Sequence, residues 1–135
     1  MNALETPASI LATISRLAAR IDAPNRLMPG MTPSGLGAPH IEVDDHYHLV
    51  VCERGVELER RTTLSLDELL YWAFAAVTFS MAADWEVAHR EAHQDSRRQL
   101  FNRQRELLNA ISSDWAVRYD VKTAELLRAY PFQDR

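Results

Sequence analysis

Between Gly55 and Pro131 the chain contains neither glycine nor proline. These two residues most readily interrupt regular structure, one through backbone freedom and the other through its missing N–H and fixed φ. A stretch covering over half of the 135 residues must therefore be organised by side-chain pattern and capping alone. Ser65-Leu66-Asp67-Glu68 inside it reads as a capping box, with serine capping the first turn and glutamate reaching back. The helix it opens is apolar on nearly all sides at first (Leu69, Leu70, Tyr71, Trp72, Phe74, Val77, Phe79, Met81). A helix apolar all round is covered on more than one side, so this one is predicted to be the central element.

The chain turns polar after Glu86, and Gln94-Asp95 reads as a break, with Asp95 capping the next helix. Leu100, Phe101, Gln104, Leu107, Leu108 and Ile111 form the stripe of that second helix. Ser112-Ser113-Asp114 restarts the chain, and Trp115, Tyr119, Leu126, Leu127 and Tyr130 set a last helix against the core, ended by Pro131. Phe74 and Phe101 are the expected core anchors.

Before Gly55 the pattern differs. Thr6-Pro7 reads as a helix start, with Ile10, Leu11, Ile14, Leu17, Ala18 and Ile21 at helical spacing. Residues 22–39 hold four of the six prolines and three of the four glycines, which predicts a loop. From His40 the period becomes two, with His40–Val43 as a first strand and Asp44-Asp45 as a turn. Tyr47, Leu49 and Val51 then alternate with His48, Val50 and Cys52, and Arg54-Gly55 sits where a two-residue hairpin turn belongs. Pairing Glu53 with Val56 predicts Val51 opposite Leu58, Leu49 opposite Arg60 and Tyr47 opposite Thr62. Val56 and Leu58 would then be inside, and His48, Cys52, Glu57, Glu59 and Arg61 on a wet face. The expected fold is a single α+β domain over residues 1–135. About three antiparallel strands (40–63) pack on a central helix, with an N-terminal helix and two or more C-terminal helices.

Hydrophobic residues make up 47% and charged residues 25%, as in ordinary globular chains. Cys52 is the lone cysteine, so no internal disulfide forms; this fits a reducing, cytoplasmic setting. The N-terminus lacks the basic start of a secretory signal. The longest apolar-rich stretch, 69–83, falls short of the roughly 20 residues a membrane span requires. The net charge of −4 argues against nucleic-acid binding, where a basic face is expected. Residues 41–70 hold eight acids against three bases, and residues 96–110 hold four arginines against one acid. An acidic segment can steer a basic partner.

One pattern points toward catalysis. His89 and His93, at i and i+4, share a helix face with Glu86 one turn earlier, and three such groups can ligate a transition metal. The zinc-protease helix needs glutamate directly after the first histidine, where this chain has Arg90, and a di-iron bundle needs a second Glu-x-x-His, which is missing. A metal-dependent enzyme using Glu86, His89 and His93 is thus the rival reading, as is an unrelated adaptor. No phosphate-binding, dinucleotide or nucleophile-elbow motif occurs, so no cofactor is expected. Trp85, between Asp84 and Glu86 where the helix turns polar, reads as a candidate protein-contact anchor.

An ordered series runs through these elements. It comprises Tyr47-His48-Leu49-Val50-Val51-Cys52-Glu53-Arg54-Gly55, Arg61-Thr62-Thr63, Asp67-Glu68-Leu69-Leu70-Tyr71-Trp72 and Thr78-Phe79-Ser80-Met81-Ala82. It continues with His89-Arg90, Gln94-Asp95-x-Arg97-Arg98-x-x-Phe101 and Tyr130-Pro131-Phe132. From about Pro39 to Phe132 this resembles immunity protein family sixty-three of bacterial polymorphic toxin systems. The resemblance implies an α+β protein that binds and blocks a cognate protein toxin without catalysing a reaction. If that toxin is a basic nuclease, Asp44, Asp45, Glu53, Glu57 and Glu59 are the expected contacts, joined by Asp84 and Trp85. Oligomeric state does not follow from these residues.

Overall fold

A computed structural model describes residues 3–34 and 36–135; Gly35, within the loop expected over 22–39, lies outside them. The described residues form α1 (Pro7–Ala19), a 3-10 turn (Asn25–Leu27), β1 (Leu36–Val43), β2 (Tyr47–Glu53), β3 (Val56–Thr63), α2 (Leu66–Ala88), α3 (Ser96–Ile111) and α4 (Ser113–Ala129). The three strands make one antiparallel sheet in the order β1-β2-β3, so the fold is α+β. The chain divides into two compact units, residues 1–76 and 77–135, with α2 contributing to both.

In the first unit, α1 starts as its residues dictate. Thr6 Oγ1 accepts the Ser9 N–H at 3.1 Å, and Pro7 occupies the first helical position. The helix buries Ile10, Ile14, Leu17 and Ala18. The loop is shorter than its composition predicts, because β1 begins at Leu36 rather than His40. Gly37 at φ +82° and an irregular register between Leu36 and Pro39 carry the chain into the strand. Pro39 is tolerated because β1 is an edge strand, where a missing N–H costs no ladder bond. The loop also runs beside that edge: the Ile41 N–H donates to the Gly30 carbonyl at 2.8 Å.

The β2–β3 turn follows from two residues. Arg54 (φ +52°) and Gly55 (φ +79°) both lie in the left-handed region, as the tightest hairpin turn requires. Beyond its two chain neighbours nothing lies within 4 Å of where a Gly55 Cβ would stand, so the conformation and not crowding selects glycine. Gly55→Ala should therefore cost about 1–2 kcal/mol in a urea melt; an unchanged midpoint would mean that the turn relaxes freely.

Glu53 does pair with Val56, but the register then slips at a bulge between Val51 and Cys52, leaving Leu58 without a partner. Val51 sits opposite Glu59, Leu49 opposite Arg61 and Tyr47 opposite Thr63. A one-residue slip exchanges faces, so Glu57 lies with His48 and Cys52 while Glu59 and Arg61 join the Tyr47–Leu49 face. The expected wet face is also buried at its centre, where Val50, His40 and His48 are 0%, 1% and 7% exposed. β3 is exposed along nearly its whole length, including Val56 and Leu58 at 59% each, which the alternating pattern places inside.

Ser65 Oγ caps α2 by accepting the Glu68 N–H at 3.1 Å. Six consecutive residues, Leu69 to Phe74, are buried, which a helix achieves only when covered on all sides. α2 stops at Ala88, five residues short of His93, so it does not supply the helix face that Glu86, His89 and His93 would share.

In the second unit, Asp95 caps α3 and Ser112 caps α4, accepting the Arg97 and Trp115 N–H groups. α3 buries Gln104, Leu107, Leu108 and Ile111. Phe101 is only half-buried, with its ring 6.2 Å from that of Phe132. α4 buries Trp115, Ala116 and Tyr119, but Leu126 and Tyr130 are exposed at 43% and 66%, contrary to the expected stripe. Past α4 the chain is tied to the start of α3. Arg97 donates to the Tyr130 and Pro131 carbonyls, and Arg98 pairs with Asp134 and lies 4.1 Å from the Phe132 ring.

Candidate functional site

The acidic residues singled out from the sequence stand at opposite ends of the β2 ribbon. Asp44 and Asp45 form the β1–β2 turn, 64% and 86% exposed at their side chains. Glu53 and Glu57 flank the β2–β3 turn. Seven residues of strand, about 20 Å, separate the two ends. The hairpin therefore presents two acidic tips, with no single cluster.

The Asp44 tip is built by local bonds. Asp44 Oδ1 accepts the His46 N–H at 2.9 Å and lies 2.7 Å from His48 Nε2. The backbone bond first, and the imidazole second, hold its carboxyl well below the usual carboxylate range. His48 Nδ1 lies 2.8 Å from Thr62 Oγ1 on β3, so this histidine links the turn to the opposite strand. Among the described residues, Asp44, Asp45 and His46 bring donor atoms within 4.8 Å of one another.

Along the same face runs a line of paired charges. His40 Nε2 lies 2.8 Å from Glu42 Oε2, Arg60 Nη2 reaches Glu42 Oε1 at 3.1 Å, and Arg60 Nη2 reaches Glu57 Oε1 at 2.7 Å. The bulge makes the last contact possible by bringing Glu57 and Arg60, three apart, to one side. His40 lowers the Glu42 carboxyl, and Arg60 lowers that of Glu57. Glu59 pairs with Arg61 at 3.6 Å, and the Arg61 guanidinium lies 4.7 Å from the Trp72 ring centre. Two of the five hairpin acids thus carry arginine partners from their own strand. The pairing of His40 with Glu42 is missed by a reading that looks for motifs. Its one signal in the sequence is the i, i+2 spacing in a strand, which places both on one face.

In the second unit, Trp85 is half-exposed beside an exposed Asp84. Its indole stacks on the His89 ring at 4.1 Å and 14°, and the Arg103 guanidinium lies 5.3 Å from its centre. Trp85, Gln99, Asn102, Arg103 and Glu106 line a depression of about 210 Å³.

The metal constellation does not assemble. Glu86 is buried, accepts from Arg90 Nη2 at 2.6 Å and Nε at 3.0 Å, and is held below its ordinary range by that guanidinium. His89 Nδ1–H donates to the Trp85 carbonyl at 2.8 Å. His93, past the helix end, takes a positive φ of +70°. The i, i+4 argument needs a continuous helix, and α2 does not supply one.

Residues 44–125 match the family model described as Immunity protein 63. The chain belongs to this family. No curated protein and no solved structure matches it. The family match begins at the Asp44 turn and takes in β2, β3, α2, α3 and most of α4, leaving out α1 and β1. All seven residues singled out as contacts in this immunity protein (Asp44, Asp45, Glu53, Glu57, Glu59, Asp84 and Trp85) lie inside the matched span. Val56 and Leu58, which the residue pattern assigns to the interior, stand exposed on the same strand as Glu57 and Glu59. Among the described residues no helix is long and apolar enough to cross a membrane.

Proposed function

We propose that this immunity protein neutralises a cognate protein toxin of a bacterial polymorphic toxin system by binding it stoichiometrically in the cytoplasm. The observation that carries the reading is the family match over residues 44–125. The mechanism is obstruction: the β2–β3 hairpin docks on the toxin and covers its active surface or fixes its shape. Three features favour the hairpin. It is exposed along β3, it displays Val56 and Leu58 as uncovered apolar contacts, and it lies in the acidic part of the chain. A basic toxin would meet Asp44, Asp45 and Glu53 directly. Glu57 and Glu59 would exchange their Arg60 and Arg61 partners for the toxin's cations. Asp84 and Trp85 are the second contact region, since a half-exposed tryptophan is a residue type enriched among interface anchors.

The test reverses Glu57 and Glu59 to lysine together. Both are exposed, so melting should stay near wild type. Association with the toxin should slow at least about tenfold at low salt, because peripheral charges act on encounter rate. Binding by the wild type should weaken as salt rises, and the double variant should lose most of that dependence. Full protection in co-expression with an unchanged salt slope would exclude the hairpin and direct attention to Trp85.

A further inference from the structure

The outward face of α4 carries an uncovered apolar stripe with a symmetric charge pattern. Val117 and Val121, one turn apart, are 61% and 58% exposed. Trp115, Ala116 and Tyr119 occupy the opposite, buried side. Asp114, Val121 and Arg128 recur every seven residues and so fall within about 20° per step of one line along the helix. Arg118 and Glu125 lie to one side of that line, and Val117 and Ala124 to the other; all four are exposed.

We infer that this face binds a second copy of the same chain, α4 against α4, antiparallel about a two-fold axis at Val121. Such an axis keeps each flank on its own side and reverses only the direction along the helix. Val121 then meets Val121 of the other copy at the centre. Asp114 meets Arg128 at both ends, Arg118 meets Glu125 on one flank, and Val117 meets Ala124 on the other. Each of these charges finds the opposite sign, and each of these apolar side chains finds an apolar one. A self-complementary patch of this kind is what an isologous dimer requires. A parallel arrangement would set Asp114 against Asp114 and Arg128 against Arg128. The 17-residue helix, about 25 Å long, offers a modest contact that assembles and dissociates with concentration. The hairpin proposed for the toxin plays no part, so the two readings stand or fall separately.

Sedimentation or light scattering of the full chain over a concentration series tests this. The mass should rise from 15.4 kDa toward twice that value. Val121→Glu should hold it at the monomer value. Asp114→Arg and Arg128→Asp, made singly, should each weaken self-association at least about tenfold by opposing like charges. Mixing those two variants should restore it, because both end arginines of the first variant then face end aspartates of the second. Restoration also excludes misfolding as the cause of the single losses. A wild type that stays at 15.4 kDa throughout would overturn the proposal. So would single variants that lose thermal stability but keep the wild-type mass, since the terminal charges would then serve only the helix dipole.

Discussion

Replacing Phe74 with alanine is expected to destabilise the protein by about 3–5 kcal/mol, the range for removing a fully enclosed phenyl group. Phe74 is 0% exposed and ends the run from Leu69 in which every side chain is buried. Covering on all sides is what makes the loss large. A side chain enclosed in this way leaves a cavity that the surroundings close only partly. Domain stabilities are usually about 5–15 kcal/mol, so the variant should express poorly and unfold at much lower urea. Phe101→Ala provides the internal contrast. Its ring is half-buried against Phe132, so its loss should be distinctly smaller. Equal melting shifts for the two variants would contradict the burial that separates them.

Much of the architecture was legible because it is written in local chemistry. Thr6, Ser65, Asp95 and Ser112 each stand at a helix start, and each accepts a backbone N–H there. The all-round apolar run of α2 announced its burial. What could not be read was set by single residues with no local signature. The bulge at Leu58 depends on how β3 meets β2, and it alone reverses the assigned faces of Glu59 and Arg61. The stop after Ala88 occurs without glycine or proline, so the pattern of Glu86, His89 and His93 looked continuous. The early start of β1 depends on pairing with β2, which overrides the loop composition of residues 36–39.

The arginine excess of residues 96–110 is answered from outside that window. Arg97 pairs with Asp95, Arg98 with Asp134 and Arg105 with Asp120. Arg97, together with two backbone N–H groups, holds the Asp95 carboxyl well below the ordinary range. The hairpin acids Glu57 and Glu59 are compensated from within their own strand, by Arg60 and Arg61, whereas Asp45 and Glu53 stay exposed. The candidate toxin face is therefore defined as much by the uncovered Val56 and Leu58 as by net charge.

The second large effect is expected at Gln104, the buried polar residue in the α3 stripe. Its Nε2 donates to Thr78 Oγ1 on α2 at 3.2 Å, and its Oε1 accepts from the Tyr119 hydroxyl on α4 at 2.9 Å. One amide thereby joins all three helices of the second unit, with Thr78, Gln104 and Tyr119 exposed by 0%, 5% and 8%. Gln104→Ala removes both bonds and opens a cavity, and should cost about 2–4 kcal/mol. Gln104→Leu keeps most of the volume, so its cost, about 1–3 kcal/mol, isolates the polar part. A double-mutant cycle with Tyr119→Phe separates a linked network from two independent contacts. Residues sharing a buried hydrogen bond couple by about 0.5–3 kcal/mol, whereas distant ones add within about 0.3–0.5 kcal/mol. Coupling in the first range would establish the amide as the polar lock of this unit. Strict additivity would mean that the hydroxyl finds an equal partner elsewhere and that helix packing alone fixes the arrangement.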